Sequence, residues 1–295
     1  MTDNNEIINK CLKALENLRR KAPLTQCITN IVTVNDCANA VLAIGASPLM
    51  SNDESEQREI AKIDNAIVIN IGTLTKSQIA GMFTSADEAY KIQTPIVLDP
   101  VGIGISGLRN DTTLKIIRDY HPTAIRANMS EIKAIAKFVG ILENVENIVK
   151  GVDVADEDII SSNNIKVNGR IVKKLANQLN TIVFASGPID IISDGENTYT
   201  IENGSDMMPR ITGTGCMLSS ILGAFIGSND DKLIATITAG LSMGIAGEIA
   251  GEYCKENNLG TGSFRTQLID ELYKLNNEEI LNKSKLNNIL KVNIN

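Results

Sequence analysis

Short apolar runs alternate along the chain with longer amphipathic segments. The apolar runs, most of them without polar alternation, occupy residues 23–29, 66–72, 95–102, 123–128 and 181–187. The segments with helical periodicity occupy residues 34–44, 54–62, 75–91, 108–119, 129–138 and 167–179. Continuous apolar runs are typical of strands that are covered on both faces. The pattern therefore predicts an α/β fold, with a central, mostly parallel sheet and helices on both faces.

The pattern changes after residue 187. DIISDG (190–195) and TYTIENG (198–204) are strand-like runs separated by turn-forming residues, which predicts an antiparallel hairpin at one edge of the sheet. Small and apolar residues over 231–255 predict a long helix, and residues 263–275 predict a further amphipathic one. The Asn- and Lys-rich residues 276–295 are expected to be loosely held. Since neither repeats nor a linker are visible, we expect a single domain over residues 1–295.

Composition argues against several classes of function. Acidic residues outnumber basic ones by 35 to 28 and no basic run is present, so nucleic acid is not an expected partner. The polar start lacks the layout of a signal peptide, and no apolar run approaches the ~20 residues that span a bilayer. We therefore expect a cytoplasmic protein without a membrane partner. The five cysteines are scattered without a CxxC pair, which argues against a disulfide framework or a zinc site.

Polar or sulfur-containing side chains stand where several apolar runs end. They are, in chain order, Asn30, Met50, Asp99, Arg126, Asn128 and Ser186, with Glu131 one helical turn beyond Asn128. Open α/β sheets bind their ligands beyond the carboxyl ends of the strands. An arginine, two carboxylates and hydroxyl or amide groups at such positions indicate a site for a magnesium nucleotide.

The same residues also have interpretations within the fold alone. Asn30 could cap the following helix, and Met50 could lie in the core. Asp99 could cap the turn that follows it, and Glu131 could complete a capping box with Asn128. The convergence of these residue types on one kind of position favours the ligand site.

The stretch ITGTGCMLSS (211–220) joins a glycine-rich turn to a helical segment. It matches neither a GxxxxGK[ST] loop nor GxGxxG, which leaves an anion site formed by the free N–H groups at a helix start. Gly213 and Gly215 would let the backbone approach a ligand, and Thr214 would add a hydroxyl. Cys216 would lie in the first helical turn, where the helix dipole favours a thiolate.

Two other interpretations of Cys216 remain open. The residue could be a small buried side chain behind the helix start, or a covalent nucleophile. A nucleophile would need a general base, and the only histidine is His121, which stands before Pro122 in a predicted loop. Phosphate binding is therefore the favoured interpretation of this stretch.

Several motifs together resemble those of one enzyme family. They are CITN (27–30), PVG (100–102) after Asp99, IRANMSE (125–131), KGVD (150–153), TGTGC (212–216) and GSF (262–264). The set is similar, in matching order, to the hydroxyethylthiazole kinase family and covers all but about the first and last 20 residues. The resemblance implies a ribokinase-like fold and transfer of the γ-phosphate of ATP to the hydroxyl of 4-methyl-5-(2-hydroxyethyl)thiazole, in thiamine biosynthesis or salvage.

The resemblance also implies roles for individual residues. Those that would bind the thiazole alcohol are Asn30, Val32, Met50 and Gly213. Those that would bind ATP are Arg126, Ser186, Thr214 and Gly215. Asp99 and Glu131 would be the acidic pair near Mg²⁺. Cys216 would be the catalytic residue that touches the acceptor hydroxyl, at a position where related kinases of this fold carry an aspartate.

The family resemblance further implies a homotrimer with active sites between subunits. Three local departures from the family pattern affect details of the pocket. Ser186 stands where threonine is expected, GTGSF (260–264) replaces GPGSF, and MSND (50–53) lacks an expected histidine. The alternatives are a hydroxymethylpyrimidine kinase, a nucleotide-hydrate dehydratase or a non-catalytic sensor. Cys216 in place of aspartate argues against the two enzymes, and the retained Asp99, Arg126 and Glu131 argue against the sensor.

Overall fold

In the computed structural model, which describes residues 2–142 and 158–289, strands and helices alternate along most of the chain. The KGVD motif at 150–153 lies outside the described residues. The strands are β1 (Leu24–Ile28), β2 (Ser47–Leu49), β3 (Ala66–Asn70), β4 (Ile96–Asp99), β5 (Ala124–Asn128), β6 (Ile182–Ser186), β7 (Asp190–Ser193), β8 (Thr198–Ile201) and β9 (Leu286–Asn288).

The helices lie before, between and after these strands. They are α1 (Thr2–Lys21), α2 (Val34–Ile44), α3 (Gln57–Ile60), α4 (Lys76–Ile92), α5 (Gly107–Tyr120), α6 (Met129–Phe138), α7 (Ile165–Leu179), α8 (Thr214–Ser228), α9 (Lys232–Glu256), α10 (Thr261–Lys274) and α11 (Asn277–Lys283). Helix α1 is absent from the pattern-based prediction, because its 20 residues are mostly polar.

The strands form one sheet in the order β2-β1-β3-β4-β5-β6-β7-β8-β9. Strands β1 to β6 pair in parallel, whereas β7, β8 and β9 continue the sheet in antiparallel pairing. This confirms the mostly parallel sheet and the hairpin at 190–201. The register sets Asn70 opposite Asp99 and Asn128 opposite Ser186. Polar strand ends therefore lie side by side at the carboxyl edge of the parallel strands.

Two hydrophobic cores lie on opposite faces of the sheet. Successive strand residues point to opposite faces, so Val68 and Phe184 join one core, while Ile69 and Val183 join the other. The first core includes residues of α1, α2, α8, α9 and α10, and the second includes residues of α4 to α7. Coverage on both faces explains why the strand sequences are continuously apolar.

Helix α9 is long and apolar enough to cross a membrane by length and composition alone. The sequence-based expectation that no segment meets this criterion was therefore wrong. Within the structure, 83% of the apolar window of α9 is buried. The helix begins at the N-cap Asp231, whose side chain accepts a hydrogen bond from the N–H of Ile234. Its apolar composition is accounted for by its burial in the first core.

The segment that was expected to be loosely held, 276–295, forms secondary structure as far as residue 288. Asn276 and Glu279 form a capping box that begins α11. Strand β9 pairs with β8, and its Leu286 is buried. The N–H of Lys285 donates to Oδ1 of Asn203 at 2.8 Å. Main-chain pairing at the free edge of β8 therefore holds a segment whose composition gives little sign of order.

Candidate active site

Two glycines shape the start of helix α8 at the carboxyl edge of the sheet. Gly213 is the N-cap, with φ of 90°, and a Cβ atom there would lie 2.5 Å from Cγ2 of Thr33. A Cβ atom on Gly215 would overlap the guanidinium of Arg126. The two positions therefore need glycine for different reasons: Gly213 for its backbone conformation and Gly215 for the close approach of an arginine.

Arg126 brings a positive charge to the positive end of the α8 dipole. Its side chain is 12% exposed, and its Nη2 donates to Oγ of Ser186 at 2.5 Å. Its Nη1 lies 3.7 Å from Oδ2 of Asp99, and its Nε is buried without a partner among the described residues. A guanidinium beside Gly215 at a helix start, where main-chain N–H groups are free, is suited to bind an anion such as phosphate.

Asp99 is fully buried at the end of β4. Its Oδ2 accepts hydrogen bonds from Nδ2 of Asn70 at 2.7 Å and from Oγ of Ser219 at 2.8 Å. Its Oδ1 is buried and has no hydrogen-bond partner among the described residues. Burial raises the pKa of Asp99, although Arg126 and the two donors oppose this shift. One carboxylate oxygen is thus held firmly and the other is left for a ligand.

Glu131 adopts the capping-box arrangement that the sequence left as an alternative. Its Oε2 accepts from the N–H of Asn128 at 2.9 Å, while its own N–H donates to Oδ1 of Asn128 at 2.9 Å. Its Oε1 accepts from the N–H of Gly102 at 2.7 Å. Burial, followed by the charge of Asp99, raises the pKa of Glu131 to about 7. Glu131 therefore fixes the start of α6 and the loop after β4, and it lies close enough to Asp99 for their charges to interact.

The described residues contain no group of three or more His, Cys, Asp or Glu side chains that could hold a metal. Mg²⁺ in kinases is commonly held by one or two carboxylates together with waters and substrate phosphates. The free Oδ1 of Asp99 fits that kind of site. Both oxygens of Glu131 already accept main-chain hydrogen bonds, so Asp99 is the better candidate for direct contact with the ion.

Cys216 is the third residue of α8, within the first turn as expected. Its Sγ accepts hydrogen bonds from Nδ2 of Asn30 at 3.3 Å and from Nδ2 of Asn70 at 3.2 Å. Burial, followed by the charge of Asp99, raises the pKa of this thiol to about 11. Burial and the neighbouring carboxylate thus act against the thiolate that the helix dipole was expected to favour, and the raised pKa indicates a neutral thiol near pH 7.

His121 ends α5 just before β5, whereas the site lies beyond the carboxyl end of β5. The histidine is therefore at the opposite edge of the sheet and cannot act as a base for Cys216. This position removes the support for the covalent interpretation.

The remaining sequence-predicted residues lie around this cluster. Val32 is 61% exposed and lines a pocket of about 310 Å³ with residues that include Ile211, Thr212 and Arg265. Met50 follows β2, is partly buried and packs against the first core. Oγ1 of Thr214 donates to the carbonyl of Met208 at 3.3 Å. These three side chains thus border the site. Asn30 contacts Cys216, Arg126 contacts both Asp99 and Ser186, and Asn70 joins the two groups.

Three residues that build the site were not found from the sequence. Asn70 is the one polar residue inside the apolar run at 66–72 and ends β3, so attention to polar residues near strand ends could have found it. Ser219 lies one helical turn beyond Cys216 on α8, a spacing that puts both on one side of the helix. Arg109 carried no sequence signal, because its guanidinium binds main-chain carbonyls. Its Nη1 donates to the carbonyl of Ile71 and its Nη2 to that of Gly72, which ties down the loop after β3.

Comparisons with known proteins agree on one family. The family model described as "Hydroxyethylthiazole kinase family" matches residues 15–278. A hydroxyethylthiazole kinase of Methanobrevibacter smithii is 53% identical over 286 residues, which cover 97% of this chain and 99% of the relative.

Among solved structures, one similar protein is of the same family, and a more distant one shares the fold. The structure of a hydroxyethylthiazole kinase protein from Pyrococcus horikoshii OT3 has a TM-score of 0.82 at 32% identity, covering 95% of this chain and 99% of that one. A ribokinase-like superfamily protein from Enterococcus faecalis V583 has a TM-score of 0.57 at 12% identity and covers 89% of both chains, which relates the fold alone. With a family model that matches most of its length and a relative at 53% identity, this chain belongs to the hydroxyethylthiazole kinase family.

Proposed function

We propose that this protein transfers the γ-phosphoryl group of ATP to the hydroxyl of 4-methyl-5-(2-hydroxyethyl)thiazole, in thiamine biosynthesis or salvage. The observation that carries the phosphoryl-transfer part is the packing of Arg126 on Gly215 at the start of α8, beside the free Oδ1 of Asp99. Membership of the hydroxyethylthiazole kinase family supports the choice of acceptor.

Phosphoryl transfer passes through a loose transition state, so positioning and charge stabilisation supply most of the catalysis. In the proposed mechanism, the N–H groups of Gly213 to Cys216 and the guanidinium of Arg126 hold the phosphoryl oxygens. Magnesium bound with ATP would neutralise charge between the phosphates, and Oδ1 of Asp99 would hold it directly or through water. The high pKa of Cys216 supports a neutral thiol that orients the acceptor hydroxyl rather than a strong base.

The nucleotide and acceptor are proposed to meet at the start of α8. The residues proposed to contact ATP are Arg126, Ser186, Thr214 and Gly215. The residues proposed to contact the thiazole alcohol are Asn30, Val32, Met50 and Gly213. The second acidic group, Glu131, is proposed to act near magnesium by fixing the loop after β4 and by its charge.

We also propose a cytoplasmic homotrimer in which a neighbouring subunit completes the acceptor pocket. The exposure of apolar side chains beside the site supports this assembly: Ile31 is 74% exposed and Val32 is 61% exposed. An apolar pair next to a binding pocket is typical of a surface that is covered by a partner. Light scattering of the purified protein should give three times the chain mass, and a monomer at micromolar concentration would contradict the assembly.

A coupled ADP-release assay tests the proposed reaction. Turnover is expected with ATP, Mg²⁺ and the thiazole alcohol, but not with the pyrimidine alcohol or without an acceptor. Arg126→Met should lower kcat at least ~100-fold, because it removes the charge that stabilises the transferring group. Arg118→Met, which removes a 73% exposed arginine of α5, is the control and should keep wild-type turnover. Turnover with the pyrimidine alcohol only, or with neither alcohol, would refute the proposal.

A further inference from the structure

Asn70 carries a buried side-chain amide that takes no part in the reaction steps proposed above. It ends β3 and is 1% exposed. Strand β3 lies between β1 and β4, so Asn70 has Asn30, which follows β1, on one side and Asp99, which ends β4, on the other. Its Nδ2 donates to Oδ2 of Asp99 at 2.7 Å and to Sγ of Cys216 at 3.2 Å. One NH₂ group therefore connects the carboxylate and the thiol of the candidate active site.

The orientation of this amide is set by the main chain. Oδ1 of Asn70 accepts from the N–H of Gly72 at 2.9 Å, which can only donate, so the other end of the amide must be the NH₂ group. The same reasoning applies to Asn30, whose Oδ1 accepts from the N–H groups of Val32 and Thr33, each at 3.1 Å. Both NH₂ groups are thereby directed into the site.

Every hydrogen of the two NH₂ groups has an acceptor. Asn30 donates to Oδ1 of Asn70 at 3.1 Å and to Sγ of Cys216 at 3.3 Å, and Asn70 donates to Asp99 and Cys216. Because Sγ accepts from two N–H groups, the S–H hydrogen of Cys216 has to point away from both asparagines. Because Oδ2 of Asp99 is occupied by Asn70 and Ser219, Oδ1 is the oxygen left free.

We propose that Asn70 is a positioning residue for phosphoryl transfer, which holds the Asp99 carboxylate and the Cys216 thiol in one fixed relative geometry through its single NH₂ group. The inference rests on the proposed function, since it concerns the same reaction. Asn70 acts through Cys216 and Asp99, so its loss should slow the chemical step more than it weakens the binding of either substrate.

A double-mutant cycle between Asn70 and Cys216 tests this inference. We expect Asn70→Ala to lower kcat about 10- to 100-fold, while the KM for the alcohol and the directly measured Kd for ATP stay within about threefold. If Asn70 acts through Cys216, the double variant with Cys216→Ala should be much less impaired than the product of the two single losses. If the loss of kcat in the double variant equals the product of the two single losses, Asn70 does not act through Cys216 and the inference is wrong.

A matched control variant distinguishes a role of Asn70 in positioning Asp99 and Cys216 from a role in stability alone. Asn229 follows the other end of α8, is 7% exposed and donates to the carbonyls of Ala14 and Phe225. Asn229→Ala should lower Tm at least as much as Asn70→Ala, yet keep kcat within about twofold of wild type. If both variants lose kcat in proportion to their loss of Tm, Asn70 has only a structural role and the proposal is wrong.

Asn70→Asp provides a second variant in case Asn70→Ala does not fold. Aspartate keeps the shape and the oxygen that accepts from the N–H of Gly72, but next to Asp99 it can share at most one proton, so it cannot donate to Asp99 and Cys216 together. It should therefore lose kcat as well, and a normal kcat would overturn the proposal. Wild-type protein that turns over no alcohol would refute the proposed function itself, and the role of Asn70 in transfer would fall with it.

Discussion

At the scale of single residues, Gly215 is the point where a charged side chain packs against main chain. Gly215→Ala should lower kcat/KM for ATP at least ~10-fold, because the new methyl group has to displace the guanidinium of Arg126. Alanine is the better helix former, but moving the guanidinium away from Ser186 and Asp99 should offset this gain, so Tm should stay the same or fall slightly. Steady-state kinetics and thermal unfolding measure the two effects separately.

Gly107→Ala is the control for this variant. Gly107 is the first residue of α5, and a Cβ atom there would meet no atom within 4 Å, so activity should be unchanged. If Gly215→Ala kept wild-type kcat/KM, the guanidinium would not be required at the start of α8.

The residues of the site differ in how far the sequence could predict them. Asp99, Arg126 and Ser186 could be found because strand ends can be located from apolar runs. Glu131 could be found too, but only the folded structure shows that both of its oxygens accept main-chain hydrogen bonds. The protonation state of Cys216 could not be predicted, since it depends on burial and on Asp99, which is 117 positions away in the sequence.

At the scale of secondary-structure elements, the cap of α9 contributes to the stability of the first core. Asp231→Ala should lower the free energy of unfolding by about 1 kcal/mol, because the N–H of Ile234 loses its side-chain acceptor. Asp230→Ala removes the neighbouring exposed carboxylate, which does not cap the helix, and should change stability much less. Urea unfolding of both variants measures the difference, and equal losses would contradict the capping role.

At this scale the parallel strands were predicted well, because a strand that is covered by helices on both faces is apolar at successive positions. The runs that became β3 to β6 are apolar at successive positions because each face of the sheet has its own core. Strand β9 could not be predicted, since Leu286 is its only apolar residue and its order comes from pairing with β8. Helix α1 was missed because few apolar positions, among them Leu15 and Leu18, attach it to the core.

At the scale of the whole molecule, Asp64 makes stability depend on pH. Both of its carboxylate oxygens are buried without a partner among the described residues, and burial raises its pKa from 3.8 to about 7. Between pH 4 and pH 7 the folded state keeps a proton that the unfolded state releases, so stability falls as pH rises through this range. Above about pH 7 the full penalty, up to about 4 kcal/mol, is present.

Asp64→Asn should therefore raise the free energy of unfolding by a few kcal/mol at pH 8 and change it little at pH 4.5. Asp111→Asn, at an exposed position of α5, is the control and should show no such difference between the two pH values. Thermal and urea unfolding at both pH values measure the effect. A gain at pH 4.5 as large as that at pH 8 would show that Asp64 is not the titrating group.

The hydrogen bonds that assemble the site join parts of the chain that are far apart. Asn30 and Cys216 are separated by 186 positions, Asn70 and Cys216 by 146, and Asp99 and Ser219 by 120. Contacts of such separation have to close long loops, which disfavours their early formation, and we expect them to form late in folding. A partly folded chain that has paired its first strands, but has not yet docked α8, would hold no assembled site. Recovery of activity during refolding should thus report the last step of folding rather than the formation of the sheet.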